Sequence, residues 1–482
     1  MRRHATLLVL AMGLGACSVG PDFTRPDAEL DSRWTLADDA DLPSRALQAD
    51  LEERWWEGFG DPLLASLIHR ATHENLDLLA AANRVEQSRA ARRSVAAGQA
   101  PDLGVGSGYS RARNSQRGLS DPSGESGRAA YSLWQGGLDM AWELDLWGRV
   151  RREVEAADAG VQVSEETRRG VLLAVTAETA RRYIELRGAQ NALAITLQNL
   201  EIARRSLALN RTRLADGVAT QLEVAEAAAQ VASLESRLPP LRQREAQLAN
   251  ALALLLALPP GALREELAAQ EAPAIPTGPA RVPLGLPSEL AERRPDIRRA
   301  EAALHAATAE IGVAEGDFYP RITLSGDLGF QALQLDDLGW DARRFAFGPA
   351  LSLPLFDGGR RRGTLELSKA RQQEAAIAYR STVLAAWHEV DDTLGAYQAQ
   401  QRRQASLDQA VEHARVALDN AERQYHQGTV DFLNVLSVQN ALLANQAEQV
   451  DSATAAALAL VDLYRALGGG WQALEGEGAP GA

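Results

Sequence analysis

The chain has 482 residues, enough for several ordinary domains or one elongated one. With 46% hydrophobic and 24% charged residues, bulk disorder is excluded, and a net charge of −14 argues against nucleic acid as a partner. Cys17 is the only cysteine, which excludes an intrachain disulfide and a cysteine-rich metal site.

In chain order, Arg2 and Arg3 precede a short apolar run from Thr6 to Leu14. That run is too short to span a bilayer, so residues 1–16 are expected to be a secretory signal peptide. Leu14-Gly15-Ala16-Cys17 resembles a bacterial lipobox, in which the thiol is acylated, by palmitate for example, and becomes the new N-terminus. The alternative is an ordinary signal that contains a cysteine. Ser18 at the next position resembles the sorting pattern that sends lipoproteins to the outer membrane. Residues 17–61 are then expected to be a lipidated, extended segment, since they have few periodic apolar positions. No stretch of about 18 apolar residues occurs, so no transmembrane helix is expected.

The remainder reads as two copies of one unit, 62–258 and 287–471. Asn75-Leu76-Asp77-Leu78 aligns with Arg294-Pro295-Asp296-Ile297, and Pro101 aligns with Pro320 at the same offset. Leu214-Ala215-Asp216-Gly217-Val218 aligns with Tyr425-His426-Gln427-Gly428-Thr429, and Trp147-Gly148-Arg149 with Gly358-Gly359-Arg360, at a second offset. Each copy opens with a helix, about Pro62–Ala97 and about Pro287–Asp317. Two β-patterned runs follow, then a very long helix, a glycine turn and a return helix. Leu407, Val411, Ala414, Leu418, Ala421 and Tyr425 recur at about 3.5 residues, with Leu200, Ala203, Leu207 and Leu214 at matching places, which is a coiled-coil seam. From Arg149 to Leu214 there is no proline, which predicts a helix of roughly 100 Å. Pro239 and Pro240 are expected to kink or break the first return helix. Residues 259–286 read as a Pro/Ala/Gly-rich linker between the copies, and 472–482 as a disordered tail.

The four β-runs alternate. Leu138, Met140, Trp142, Leu144 and Leu146 fall on one parity, and Asp139, Glu143 and Asp145 on the other. Strands of about 9–11 residues with one apolar face and aromatic ends suit a transmembrane β-barrel. The alternative is a soluble sheet covered on one face, but the helices offer a narrow seam rather than a broad cover. Four strands cannot close a barrel, because the smallest has about 8. Several chains must therefore share one. Two chains would give about 8 strands with an interior filled by side chains, and three would give about 12 and room for water. On this reading the Leu138 side faces lipid, and Asp139, Glu143 and Asp145 line the pore or its mouth.

Several motifs carry a family resemblance across essentially the whole chain. Cys17-Ser18-Val19-Gly20-Pro21-Asp22-Phe23, Trp55-Trp56-Glu57-Gly58-Phe59-Gly60-Asp61-Pro62, the run from Leu286 to Ile297, and Phe318-Tyr319-Pro320-Arg321-Ile322 resemble the TolC-like outer-membrane efflux channels, closest to the lipidated NodT-type branch. The resemblance implies an α+β membrane protein of a Gram-negative bacterium: a homotrimer with a shared twelve-stranded transmembrane β-barrel, four strands per chain, continued by a long periplasmic α-helical coiled-coil barrel. It implies a passive conduit and no enzyme, with no cofactor, serving a periplasmic adaptor protein and an inner-membrane pump of the RND type. A conduit for type I protein secretion and a lipid-anchored periplasmic scaffold are the rival functions.

By the same resemblance, the helix-to-helix turns at Gly217-Val218 and Gly428-Thr429 form the adaptor-docking periplasmic tip. Both glycines also read as ordinary left-handed helix caps. Tyr425 matches a constricting tyrosine. Asn434 and Ser437 stand where some members carry acidic rings, and Glu223 and Glu226 are the first-copy equivalents. In a trimer each glutamate would give a ring of carboxylates, a cation filter; the alternative is that they solvate an outer helix face. His69 and His73, four apart with Glu74 beside them, have a spacing metal sites use. An ordinary solvated helix face is the plainer reading, and no metal site is assigned.

Overall fold

The structure is a computed structural model that describes residues 18–27, 34, 45–47, 52–117, 124, 127, 129–268 and 274–477. Among these, the helices are α1 (Pro62–Glu74), α2 (Leu76–Ala96), α3 (Arg149–Ala215), α4 (Gln221–Leu255), α5 (Leu290–Arg293), α6 (Pro295–Gly316), α7 (Arg360–His426), α8 (Phe432–Ala466) and α9 (Trp471–Glu477). The strands are β1 (Arg45–Leu47), β2 (Asp102–Ala112), β3 (Tyr131–Leu144), β4 (Arg281–Pro283), β5 (Arg321–Ala332) and β6 (Arg343–Ser352). The duplication is visible in the helices. α3 and α7 each have 67 residues, and the return helices α4 and α8 each have 35.

The chain forms two compact units. One comprises the described residues of Met1–Pro26, Arg84–Ser164 and Arg299–Tyr379. It holds the antiparallel sheet β2-β3-β5-β6, in which β2 and β6 each have one partner within the chain. An N-terminal strap, Ser18–Pro26, is fastened to this unit. Arg152 donates to the Val19 carbonyl at 3.1 Å and to Asp22 at 2.7 Å, and Phe23 stacks on His305 at 4.5 Å.

The other unit comprises the described residues of Asp27–Asn83, Glu165–Arg298 and Arg380–Ala482. The tryptophan motif folds into its core. Trp55, Trp56 and Phe59 are buried, and Trp55 stacks on Tyr464 at 5.2 Å. Asp61 caps α1, accepting from the Leu63 and Leu64 amides, and also accepts from the Tyr183 hydroxyl at 2.5 Å. The run from Leu286 to Ile297 is anchored by Arg294. Its guanidinium donates to the Ala466 carbonyl at 2.6 Å and pairs with Asp296 and Glu389, each at 2.7 Å. The most recognisable stretches of the sequence are therefore packing and anchoring devices.

Several expectations need correction. The first helix of each copy is interrupted: Asn75 divides α1 from α2, and Arg294 divides α5 from α6. Asn75 binds the Asp77 and Leu78 amides through its side chain and so starts a new helix. Pro239 and Pro240 do not break α4, which runs through both. Leu234 on one side packs with Leu200, Ala203 and Leu443, and Leu248 and Leu252 are buried on the other. Tertiary packing outweighs the two lost backbone donors. β3 ends at Leu144, so Asp145 and Leu146 lie in the turn before α3. The extended N-terminal segment and the linker contribute a strand pair the sequence did not suggest, β1 parallel to β4. The tail begins as a helix, α9, because Trp471 is held. Its indole donates to the Arg293 carbonyl at 2.9 Å, and Arg169 and Arg298 stand over its ring. Cys17 and residues 1–16 lie outside the described residues.

Candidate channel wall and gate

The sheet register sorts side chains into two faces. On one face Val105, Leu138, Leu328 and Phe345 lie abreast across all four strands. Leu103, Met140, Gly326 and Phe347 form the next row, then Trp142, Leu324 and Pro349. Val105 is 83% exposed and Phe347 is 80% exposed. A continuous apolar face so exposed is suited to hydrocarbon rather than water. Tyr109 and Trp134 pair across β2 and β3 with ring centres 4.3 Å apart, nearer the hairpin end.

The opposite face carries Gly104, Gly106, Gly108, Gly137 and Gly329, with Asp139 directly across from Asp327. Two carboxylates opposite one another repel, and Arg344 at 3.7 Å from Asp327 offsets this. Asp327 alternates with Leu324, Leu328 and Phe330 along β5, but nothing local announces that Arg344 would meet it.

The three acidic residues expected in the pore do different things. Asp139 stands on the polar face. Glu143 accepts two 3.0 Å hydrogen bonds from Arg149. Asp145 caps α3, accepting from the Val150 amide at 3.0 Å and the Arg151 amide at 2.9 Å. It neutralises the orphan donors of a helix N-terminus.

The two helix-to-helix turns share one construction. Gly217 has φ +76° and Gly428 φ +74°. The Val218 amide returns to the Arg213 carbonyl at 2.8 Å, and the Thr429 amide to the Gln424 carbonyl at 3.0 Å. These left-handed glycines close each helix, as expected of C-caps. Each return helix is then capped, α4 by Thr220 and α8 by Asp431. Glu223 completes a capping box, accepting the Thr220 amide at 2.6 Å. Glu226 has one carboxylate oxygen buried with no partner among the described residues. Asn434 donates its amide to Asp431 at 3.0 Å, and both Asn434 and Ser437 are exposed.

Tyr425 is buried, in a cluster with Val411, Leu418, Ala421, Phe432 and Val435. Its hydroxyl donates to Asn210 at 2.7 Å, and the Arg213 guanidinium lies 4.5 Å above its ring. Burial raises the hydroxyl pKa and the Arg213 charge opposes this, with Glu223 adding to the rise. Asn210 and Arg213 escaped sequence reading, because neither stands in a motif. His69 and His73 stack at 4.4 Å, and His73 Nδ1 bonds the His69 carbonyl oxygen at 2.8 Å. No described helix is long and apolar enough to cross a membrane.

A sheet with an exposed lipid-suited face and a glycine- and carboxylate-bearing face, in a chain with paired very long helices, defines a protomer of an outer-membrane channel. The model of the outer membrane efflux protein family matches residues 67–258 and 286–469, and the chain belongs to that family. It is 35% identical to the outer membrane protein OprJ of Pseudomonas aeruginosa over 98% of this chain and 97% of that one. It is 28% identical to the probable outer membrane lipoprotein SilC of Salmonella typhimurium, over 97% and 98%. The solved outer-membrane channel OprN superposes with a TM-score of 0.86 at 34% identity, covering 95% of this chain and 100% of that one. The protein is an outer-membrane efflux channel with a periplasmic helical extension, working with adaptor and inner-membrane pump partners. Its solved relatives are trimers, so four strands from each of three copies make a barrel of twelve.

Proposed function

We propose that this chain is the exit duct of an RND-type export system, anchored by acylation of Cys17, with its gate at the α3–α4 and α7–α8 turns. Energy enters at the pump, and the chain itself catalyses nothing. Gly217, Val218, Gly428 and Thr429 form the adaptor-docking tip. Tyr425, Glu223, Glu226, Asn434 and Ser437 surround the constriction. Asp139 lines the pore, and Glu143 and Asp145 shape the pore mouth through the junction of β3 with α3. The observation that carries this reading is the matched pair of capped turns, with Tyr425 of α7 buried just before the second and its hydroxyl bonded to Asn210 of α3.

The test is site-specific photocrosslinking in cells from Val218, which is 68% exposed. Capture of a periplasmic adaptor whose operon partner is an RND pump is the expected result. Crosslinks only to an ABC-type secretion adaptor would replace the pump assignment. Replacing Cys17 with Ser is expected to leave the protein in the outer-membrane fraction, because the barrel itself holds it there.

A further inference from the structure

On the lipid-suited face, one row lacks a side chain at its centre: Ser107, Gly136, Phe330 and Arg343 lie abreast, with glycine on β3. The backbone does not require that glycine. A Cβ on Gly136 would meet the Gly106 carbonyl and the Ser107 Cβ at 3.7 Å, which is ordinary contact. At the adjacent Gly137 a Cβ would lie 2.6 Å from the Leu328 carbonyl, so there the close strand approach excludes one. Gly136 therefore leaves a hollow between Ser107 and Phe330. Tyr109 and Trp134 bound it on the hairpin side, Phe330 beside it, and Leu338, Gly339 and Trp340 of the β5–β6 loop form its outer wall. The cleft measures about 590 Å³, within the range of specific ligand sites.

A cation stands beside it. Arg343 lies on the same row as Gly136 and is exposed. Arg343 donates to the Trp340 carbonyl at 2.8 Å and its guanidinium stands 5.3 Å from the Trp340 ring, which holds it beside the cleft; Asp341 is 3.9 Å away but fully open to solvent. This end of the sheet is the hairpin end, opposite the junctions with the helices, and so faces the cell exterior. An apolar cleft beside a guanidinium group matches a ligand with a hydrocarbon chain and a phosphate. The outer leaflet of such a membrane is made of a phosphorylated, multiply acylated glycolipid.

We propose that this cleft is a specific site for that glycolipid, with an acyl chain seated over Gly136 and a phosphate on Arg343. The inference rests on the apolar face meeting lipid. The experiment is native mass spectrometry of the delipidated, detergent-purified full-length protein, titrated with hexa-acylated bisphosphorylated lipid A or with phosphatidylglycerol. Lipid A should be retained up to one per protomer. Gly136→Leu, Trp340→Ala and Arg343→Gln should each weaken retention about tenfold. Arg344→Gln, one residue on but facing the polar side, should leave it unchanged. Equal retention by the first three variants, or equal binding of phosphatidylglycerol, overturns the proposal. So does loss of the trimer in Gly136→Leu, which would mean that a neighbouring copy fills the cleft. Failure of the wild-type protein to form heat-modifiable, detergent-dependent trimers would instead remove the lipid-facing premise.

Discussion

Tyr425 and Asn210 join the two long helices near their turns: the tyrosine hydroxyl on α7 donates a 2.7 Å hydrogen bond to the amide oxygen of Asn210 on α3. Asn210 is fully buried, and its amide nitrogen has no partner among the described residues. Tyr425→Phe would leave a second buried polar atom unsatisfied, at a cost of about 1–3 kcal/mol. If opening separates α3 from α7 here, that loss weakens the closed state. Single-channel open probability in planar bilayers should then rise about tenfold. An unchanged open probability would mean that the contact is static scaffolding.

Glu223 and Glu226 were equivalent candidates by position, and the structure separates them. Glu223 closes the capping box of α4, whereas Glu226 is not part of it. Glu223→Gln is expected to cost a fraction of the ~1 kcal/mol a cap is worth, since glutamine can still serve at that place. Its effect on selectivity should be small. Glu226→Gln should lower the cation preference measured by reversal potentials in asymmetric salt. The opposite ranking would return the filter to Glu223.

The parts legible in the sequence were those governed by period. The alternation of Leu138, Met140 and Trp142 against Asp139 gave the two-faced sheet, and the spacing of Val411, Leu418, Ala421 and Tyr425 gave the seam. Contacts distant in sequence were hidden. Arg213 over Tyr425 joins helices far apart in sequence, and Arg344 meets Asp327 only through the pairing of β5 with β6; neither contact is announced locally. Pro239 and Pro240 misled because local propensity is a weak prior where Leu234 and Leu248 hold the helix from both sides. Asp145 misled for a different reason. Its parity continues the strand, but its carboxylate is taken by the first amides of α3.

Arg294 is buried and binds two carboxylates and a helix-terminal carbonyl. Arg294→Met would leave Asp296 and Glu389 facing each other and the Ala466 carbonyl short of a donor. Removing one partner of a buried ionic cluster costs about 3–5 kcal/mol. Both carboxylates are partly solvated, so the lower end is expected here. Thermal unfolding followed by helical circular dichroism should show a clear drop in midpoint.

The same cluster sets a pH dependence. Burial alone would raise the Asp296 pKa. The hydrogen bonds and charge of Arg294 outweigh burial, and with the Ile297 amide they hold the carboxyl below its ordinary range. A carboxyl with a lower pKa folded than unfolded contributes stability above its unfolded value of about 3.9. That contribution disappears as pH falls through the folded value. Asp296→Asn should therefore be less stable than wild type near neutral pH, with the difference shrinking as the pH is taken below about 4. A constant difference across that range would show that Asp296 acts by shape rather than charge.

Gly106 and Gly137 are register partners on the polar face, yet they answer to different constraints. A Cβ on Gly106 has nothing within 4 Å, while one on Gly137 would lie 2.6 Å from the Leu328 carbonyl and 2.8 Å from the Gly329 Cα. Backbone atoms cannot swing aside as a flexible side chain can. Gly137→Ala must spread β3 from β5, and overpacking of this kind costs about 1–3 kcal/mol or more. Gly106→Ala should add only a methyl group to an open surface. Heat-modifiable trimers on gels should thus form normally with Gly106→Ala and be sharply reduced with Gly137→Ala. Equal yields would mean that β3 and β5 are further apart in the assembled barrel than in the single chain.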